Sequence, residues 1–178
     1  MKYFCLLLSF LLGFAASVSG QERMSVCNLR CEYLEEPIAV ENEKPLLGWQ
    51  LQSSEQAKSQ TAYRILVASS PSLLTDKQAD FWDSGKVISS SSNQIEYKGK
   101  PLESRQTLYW KVMVWDEKGK PSSWSGTGKW TMGLLKPSDW KARWIGSQED
   151  RYPDSTLTYP APYIRKGFRI SKPVKQAK

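Results

Sequence analysis

Histidine is missing from all 178 residues. Its absence removes Ser-His-Asp and Cys-His nucleophilic sites, imidazole general bases and histidine metal ligands together. Chemistry run on two carboxylates survives, because glycoside hydrolysis needs no imidazole. Cysteine is scarce as well, at three residues, of which Cys5 lies in an apolar leader and leaves Cys27 and Cys31. A pair in an exported chain suggests a disulfide. In a strand, however, positions i and i+4 share a face and lie roughly 13 Å apart, beyond bonding reach. Both are therefore expected to fill core space as thiols, and two thiols without histidine make a poor zinc site. No glycine-rich phosphate loop, Cys-x-x-Cys array or acidic calcium loop occurs. Asp76 and Asp80 are four apart but lack the further oxygen ligands calcium needs. The sequence implies no cofactor and no metal.

Long apolar runs are confined to the start. Lys2 precedes a stretch over residues 3–16 that suits a signal-peptide core and falls short of the ~20 residues of a spanning helix. Val18 and Gly20 occupy small-residue positions before a cut between Gly20 and Gln21. The chain is thus expected to be exported to the periplasm, cell surface or medium, with residues 1–20 as signal peptide and no membrane span after cleavage.

Charge is uneven. The net is +7, which at first sight suggests nucleic acid. Residues 21–135 nevertheless carry 14 Lys/Arg against 14 Asp/Glu, while residues 136–178 carry 10 against 4. A nucleic-acid module needs its basic face on the folded core, and this core is neutral; no nucleic-acid partner is expected.

What the chain has is alternation. Short runs with period two, separated by turn residues, recur between residues 26 and 133. VCNLRCEYL puts Cys27, Leu29, Cys31 and Tyr33 on one face; PLLGWQLQ groups Leu47, Trp49 and Leu51; TAYRILVAS aligns Tyr63, Ile65 and Val67. FWDSGKVI and NQIEYKG are shorter. TLYWKVMVWDEKG is the clearest, with Trp110, Val112 and Val114 on one face and Tyr109, Lys111, Met113 and Trp115 on the other. GKWTMG closes the set, and SPSLLTDKQADF has room for a helical turn. Such a pattern predicts an all-β, antiparallel β-sandwich over residues 24–135.

Several phrases resemble the fibronectin type III/immunoglobulin-like fold: Leu47-x-Trp49, Leu102, the run Trp110-x-Val112-x-Val114, and GKPSSWS. Trp110 stands where that family usually has tyrosine. More narrowly, QTAYRILVASS, FWDSGKV, LYWKVMVWDEKGKPSSWS and above all MGLLKPSDWKARWIG resemble the N-terminal region of bacterial α-L-rhamnosidases, glycoside hydrolase family 78. PAPYIRKGFRIS is similar to the first strand of a second sandwich that follows in those enzymes. The resemblance implies that residues 136–178 are a linker and the first strand, over 163–170, of an incomplete second β-sandwich domain, a partly structured C-terminal extension. It also implies catalytic carboxylates in a barrel far downstream, so no catalytic residue is carried over.

The adjacent carboxylates Glu35–Glu36, Asp116–Glu117 and Glu149–Asp150 point to opposite faces in extended chain, the wrong geometry for catalysis, and are expected to be solvated turn charges. Trp49 and Trp110 are expected in the core. The candidates for domain docking or glycan stacking are Tyr109, Trp115, Trp124, Trp140 and Trp144, with Trp124 alternatively stapling an edge against Lys or Arg stems. The resulting expectation is a non-catalytic accessory module of a secreted α-L-rhamnosidase-like glycoside hydrolase acting on rhamnose-containing glycans, with the downstream domains of that enzyme as partners. The alternative is a stand-alone carbohydrate-binding or surface interaction sandwich.

Overall fold

The computed structural model describes residues 24–54, 59–143, 145 and 163–174. The expected signal peptide lies outside them, as does Trp144. Two compact units divide the chain between Asp139 and Trp140.

The described residues of the first unit form eight strands: β1 (Met24–Cys31), β2 (Leu46–Ser53), β3 (Ala62–Ala68), β4 (Trp82–Asp83), β5 (Val87–Ile88), β6 (Ile95–Glu96), β7 (Thr107–Trp115) and β8 (Gly128–Thr131). They form a three-stranded sheet ordered β1-β2-β6 and a five-stranded sheet ordered β4-β3-β7-β8, with β5 also paired to β3. Every ladder is antiparallel. FWDSGKVI yields two strands because the Ser84-Gly85 corner, with Gly85 at φ 60°, interrupts it. The expected helical turn is a single 3-10 turn over Pro71–Leu73.

Between the sheets lies an aromatic layer. Trp82, Tyr97, Trp130 and Trp110 follow one another edge to face, with centroids 5.4, 6.1 and 6.4 Å apart. Trp49 meets Tyr63 in the same manner at 5.3 Å. Each such pair adds about 0.5–1.5 kcal/mol to what burial supplies. Burial also demands partners for the polar atoms. The Trp49 indole N–H donates to Gln60 Oε1 at 3.0 Å, and Gln60 Nε2 donates to the carbonyls of Ser89 and Ser91 at 3.1 and 2.8 Å. Gln60, only 2% exposed, thus joins β2 to the loop after β5. The Tyr97 hydroxyl donates to the Lys100 carbonyl at 2.9 Å, and burial, helped by Asp80, raises its pKa well above the ordinary phenol range. The tryptophan at 110 therefore packs against Trp130, while Tyr97 supplies the tyrosine-to-backbone bond from an earlier position.

Three expectations need correction. Cys27 does not share a face with Leu29 and Cys31: a bulge between Cys27 and Arg30, with Asn28 at φ 49°, shifts the alternation. Val26 points inward in its place, and Cys27 is only half-buried while Cys31 is enclosed. Both are free thiols. Asp116 is not a solvated charge but 5% exposed, its Oδ1 accepting the Lys118 and Lys120 amides at 2.9 and 2.8 Å to shape the turn after β7. The strand expected over residues 163–170 is not formed in the second unit. Described residues there hold no strand, and Tyr163, Ile164, Phe168 and Ile170 are exposed. A strand is stabilised by its ladder, and these residues have none.

Replacing Gln60 by Leu leaves the buried Trp49 N–H and two part-buried carbonyls without their partner. Urea unfolding should show a loss of about 2–4 kcal/mol, read as a lower midpoint at unchanged slope. A change within experimental error would remove Gln60 from its place in the core. The thiols differ in a measurable way too. Burial, with Glu32 adding repulsion, pushes Cys31 up to about 12, so an alkylating reagent should modify Cys27 in the folded protein and Cys31 only after unfolding. Equal rates by peptide mass mapping would contradict this packing.

Candidate docking faces

β7 separates the two faces of its sheet residue by residue. Leu108, Trp110, Val112 and Val114 are buried between the sheets, while Tyr109, Lys111, Met113 and Trp115 lie on the outside, half-buried. β3 runs antiparallel beside it with Ala68 opposite Tyr109, Leu66 opposite Lys111 and Arg64 opposite Met113. Alternation predicts this for β7. It misses that β3 is buried on both faces, with Leu66 and Ala68 fully enclosed.

The cover comes from the chain itself. The 3-10 turn delivers Leu74 onto Leu66 and Ala68, and Leu73, Ala79, Tyr109 and Trp124 pack around this small second core. Tyr109 therefore spends its ring on an internal contact. The segment is held by Asp80, which accepts the Ser69 amide at 2.9 Å and the Ser69 hydroxyl at 2.7 Å. Partial burial alone raises the Asp80 pKa, but the Ser69 bonds outweigh it and the net shift is downward.

Trp124 is fastened by its own tetrapeptide. The amides of Ser122 and Ser125 donate to the Val114 and Val112 carbonyls at 2.8 Å each. The hydroxyls of the same two serines accept the Val114 and Val112 amides at 3.2 and 3.0 Å. Ser122-Ser123-Trp124-Ser125 thus completes the edge of β7 beyond β8, using serine oxygens where a strand would use carbonyls. The indole of Trp124 meets the Lys111 ammonium at 4.7 Å from its centroid and the Arg64 guanidinium at 5.8 Å. Arg64 forks onto Asp83, with Nε to Oδ1 at 2.9 Å and Nη2 to Oδ2 at 2.7 Å, and approaches Asp76 at 3.3 Å. That bond, against the opposing effect of burial, lowers the Asp83 pKa below the usual carboxylate range and raises that of Arg64. Trp115 carries Lys86 over its ring at 4.6 Å.

At the far end, the exit from the sandwich is tied down. Val40 bridges Met132, Gly133 donates to the Val40 carbonyl at 2.7 Å, and Arg105 donates to Gly133 at 3.0 Å. Ser104 Oγ accepts the Leu135 amide at 2.8 Å and donates to Asp139, whose pKa is lowered by that bond first and the Lys136 amide next. In the second unit Trp140 is 59% exposed. The structure thus brings Tyr109 and Trp124 into one cluster and places Trp115 on the same sheet face. Gln60, Ser122 and Ser125 are the organising residues that pattern alone does not flag. Among the described residues no group of three or more Cys, Asp or Glu is placed to hold a metal.

The family model described as the Rha78A-like, N-terminal immunoglobulin domain matches residues 26–136. An α-L-rhamnosidase of Formosa agariphila is 42% identical over 151 residues, 83% of this chain and 16% of that protein. One of Streptomyces avermitilis is 40% identical over 116 residues, 65% of this chain and 11% of that protein. Among solved structures, the α-L-rhamnosidase from Dictyoglumus thermophilum superposes with a TM-score of 0.67 at 38% identity, over 70% of this chain and 14% of that one. The Streptomyces avermitilis α-L-rhamnosidase complexed with L-rhamnose gives the same TM-score and identity, over 70% of this chain and 12% of that one. The chain therefore spans about a sixth or less of the length of these relatives. With 111 consecutive residues matched and a sandwich of the same shape, this chain belongs to the family of Rha78A-like N-terminal immunoglobulin domains.

Proposed function

We propose that the chain serves an exported α-L-rhamnosidase-like glycoside hydrolase as its non-catalytic accessory module, bracing the domains that follow it. One observation carries this reading: the match is to an N-terminal immunoglobulin domain, within relatives of which it makes up only 11–16%. The carboxylates support it. A glycosidase needs one carboxyl kept protonated by a raised pKa, facing a second across the scissile bond. Asp80, Asp83 and Asp139 all move the other way, because each is committed to donors of its own fold.

The outer face of the five-stranded sheet suits packing better than glycan stacking. A sugar on Trp115 would have to displace Lys86, one on Trp124 would compete with Lys111 and Arg64, and Tyr109 is already engaged in the second core. We place the anchor to the following domain at the exit, on Trp140 and Trp144 with Lys141 and Arg143 between them. Rhamnose-containing glycans are then the substrate of the whole polypeptide and not of this module.

Purified residues 21–178 should release no rhamnose from an aryl rhamnoside. Turnover above that of a mock preparation, co-purifying with the protein, would overturn the reading. Export has a separate test. The full sequence expressed in a Gram-negative host should yield periplasmic protein beginning at Gln21, and cytoplasmic product with Met1 intact would reject the leader.

A further inference from the structure

The outer face of the three-stranded sheet, opposite the one considered for bracing, holds a depression of about 310 Å³. Gly48 lines its floor, and Asn28, Arg30, Tyr33, Gln50 and Asn93 stand around it. The glycine lets Asn93 lie close against the strand: a Cβ at Gly48 would come within 2.9 Å of Asn93 Oδ1.

The backbone around this depression is unusual. Asn28, Tyr33 and Gln94, at φ 49°, 64° and 56°, are three of the seven non-glycine residues with positive φ among the described residues. The β1 bulge accounts for Asn28. Tyr33 and Gln94 lie outside every ladder, yet their side chains are joined, Gln94 Nε2 donating to the Tyr33 hydroxyl at 2.9 Å. Two left-handed residues thus hold a half-exposed aromatic ring at the rim. Strain kept in exposed, water-facing residues marks a preorganised surface more than a packing need.

Its rim is amide-rich, over a partly apolar lining that includes Leu46 and Trp49. Asn28 Nδ2 donates to Gln50 Oε1 at 2.6 Å, which leaves the Asn28 oxygen as acceptor and the Gln50 nitrogen as donor. Asn93 Oδ1 accepts the Gln94 amide at 2.9 Å, which leaves its NH2 as donor. Arg30 directs its guanidinium to the Tyr33 carbonyl and to Glu35, at 3.1 and 3.4 Å, so its charge is offset. An anion finds no uncompensated cation here. Vicinal hydroxyls, each a donor and an acceptor, match the carboxamides, and the C–H face of a sugar ring packs on an aromatic side chain. The volume, at the small end of ligand sites, admits one ring.

We propose that this depression binds a single neutral pyranose unit, with Tyr33 as platform and Asn28, Gln50 and Asn93 as hydrogen-bonding groups. The site uses the other sheet and stands independently of the bracing role. Titrating the 15N-labelled protein with L-rhamnose, D-glucose and D-galactose should shift the side-chain amides of Asn28, Gln50 and Asn93 saturably, in the millimolar range, for at least one sugar. Tyr33→Ala and Asn93→Ala change exposed residues and keep the core, which the dispersion of the β3 and β7 amides checks. Each should weaken binding by roughly tenfold, while Trp115→Ala leaves it unchanged. No saturable shift with any pyranose, equal shifts with glycerol, or binding that survives both substitutions would overturn the proposal.

Discussion

Taking an aromatic ring out of water is costly when its N–H or O–H is left without a partner, and three rings of this sandwich show how that cost is met. Trp49 meets it through Gln60, Trp130 through the Met132 sulfur at 3.2 Å, and Tyr97 through the Lys100 carbonyl. The partners are not incidental. Gln60 reaches back from the start of β3 to the loop after β5, so satisfying one indole also positions the connection between the sheets. No buried side-chain nitrogen or oxygen among the described residues is left without a bond. The edge-to-face chain of rings fills the space between sheets, and its polar atoms define where the loops must return.

The same logic governs the edges. β7 is nine residues long and β8 four, so much of the β7 edge has no strand to pair with. Ser122 and Ser125 supply both amide donors and hydroxyl acceptors to that edge, and Trp124 between them is drawn onto Lys111 and Arg64. An exposed row of unpaired amides invites association with other chains; here a four-residue strap closes it without a strand. Asp116 does comparable work at the next turn, accepting two amides in a nearly enclosed position.

Legibility in the sequence followed the range of the interaction. β7 could be read directly, because period-two alternation is local and each of its faces meets one environment. The same rule failed in β1, where an inserted residue at the bulge shifts Cys27 outward, a feature set by pairing with β2 and invisible to a one-strand pattern. In β3 it was incomplete, since Leu66 and Ala68 are covered by Leu74, which a turn several residues away delivers. The aromatic candidates were legible as residues and not as a site. Whether an indole is free or capped depends on Lys86, Lys111 and Arg64, which come from other strands and loops. The expected strand over 163–170 had the right composition, but composition cannot supply a neighbour.

The depression on the three-stranded sheet and the lowered pKa values of Asp80 and Asp83 reflect how differently the two sheets use their outer faces. In the five-stranded half, charges are neutralised in place: Arg64 by Asp83 and Asp76, Asp80 by Ser69. Each such bond fixes a loop at the cost of reactivity, since a carboxylate held by strong donors is a poor proton source. The three-stranded half is thinner, with β6 only two residues long, and its outer face carries amides and a glycine beside Tyr33 and Leu46. Amides neither titrate nor attack; what they do at a surface is recognise hydroxyls and peptides. In the five-stranded half, then, three carboxylates do structural duty, Asp83 on Arg64, Asp80 on Ser69 and Asp116 on its own turn, and the three-stranded half leaves carboxamides at its rim.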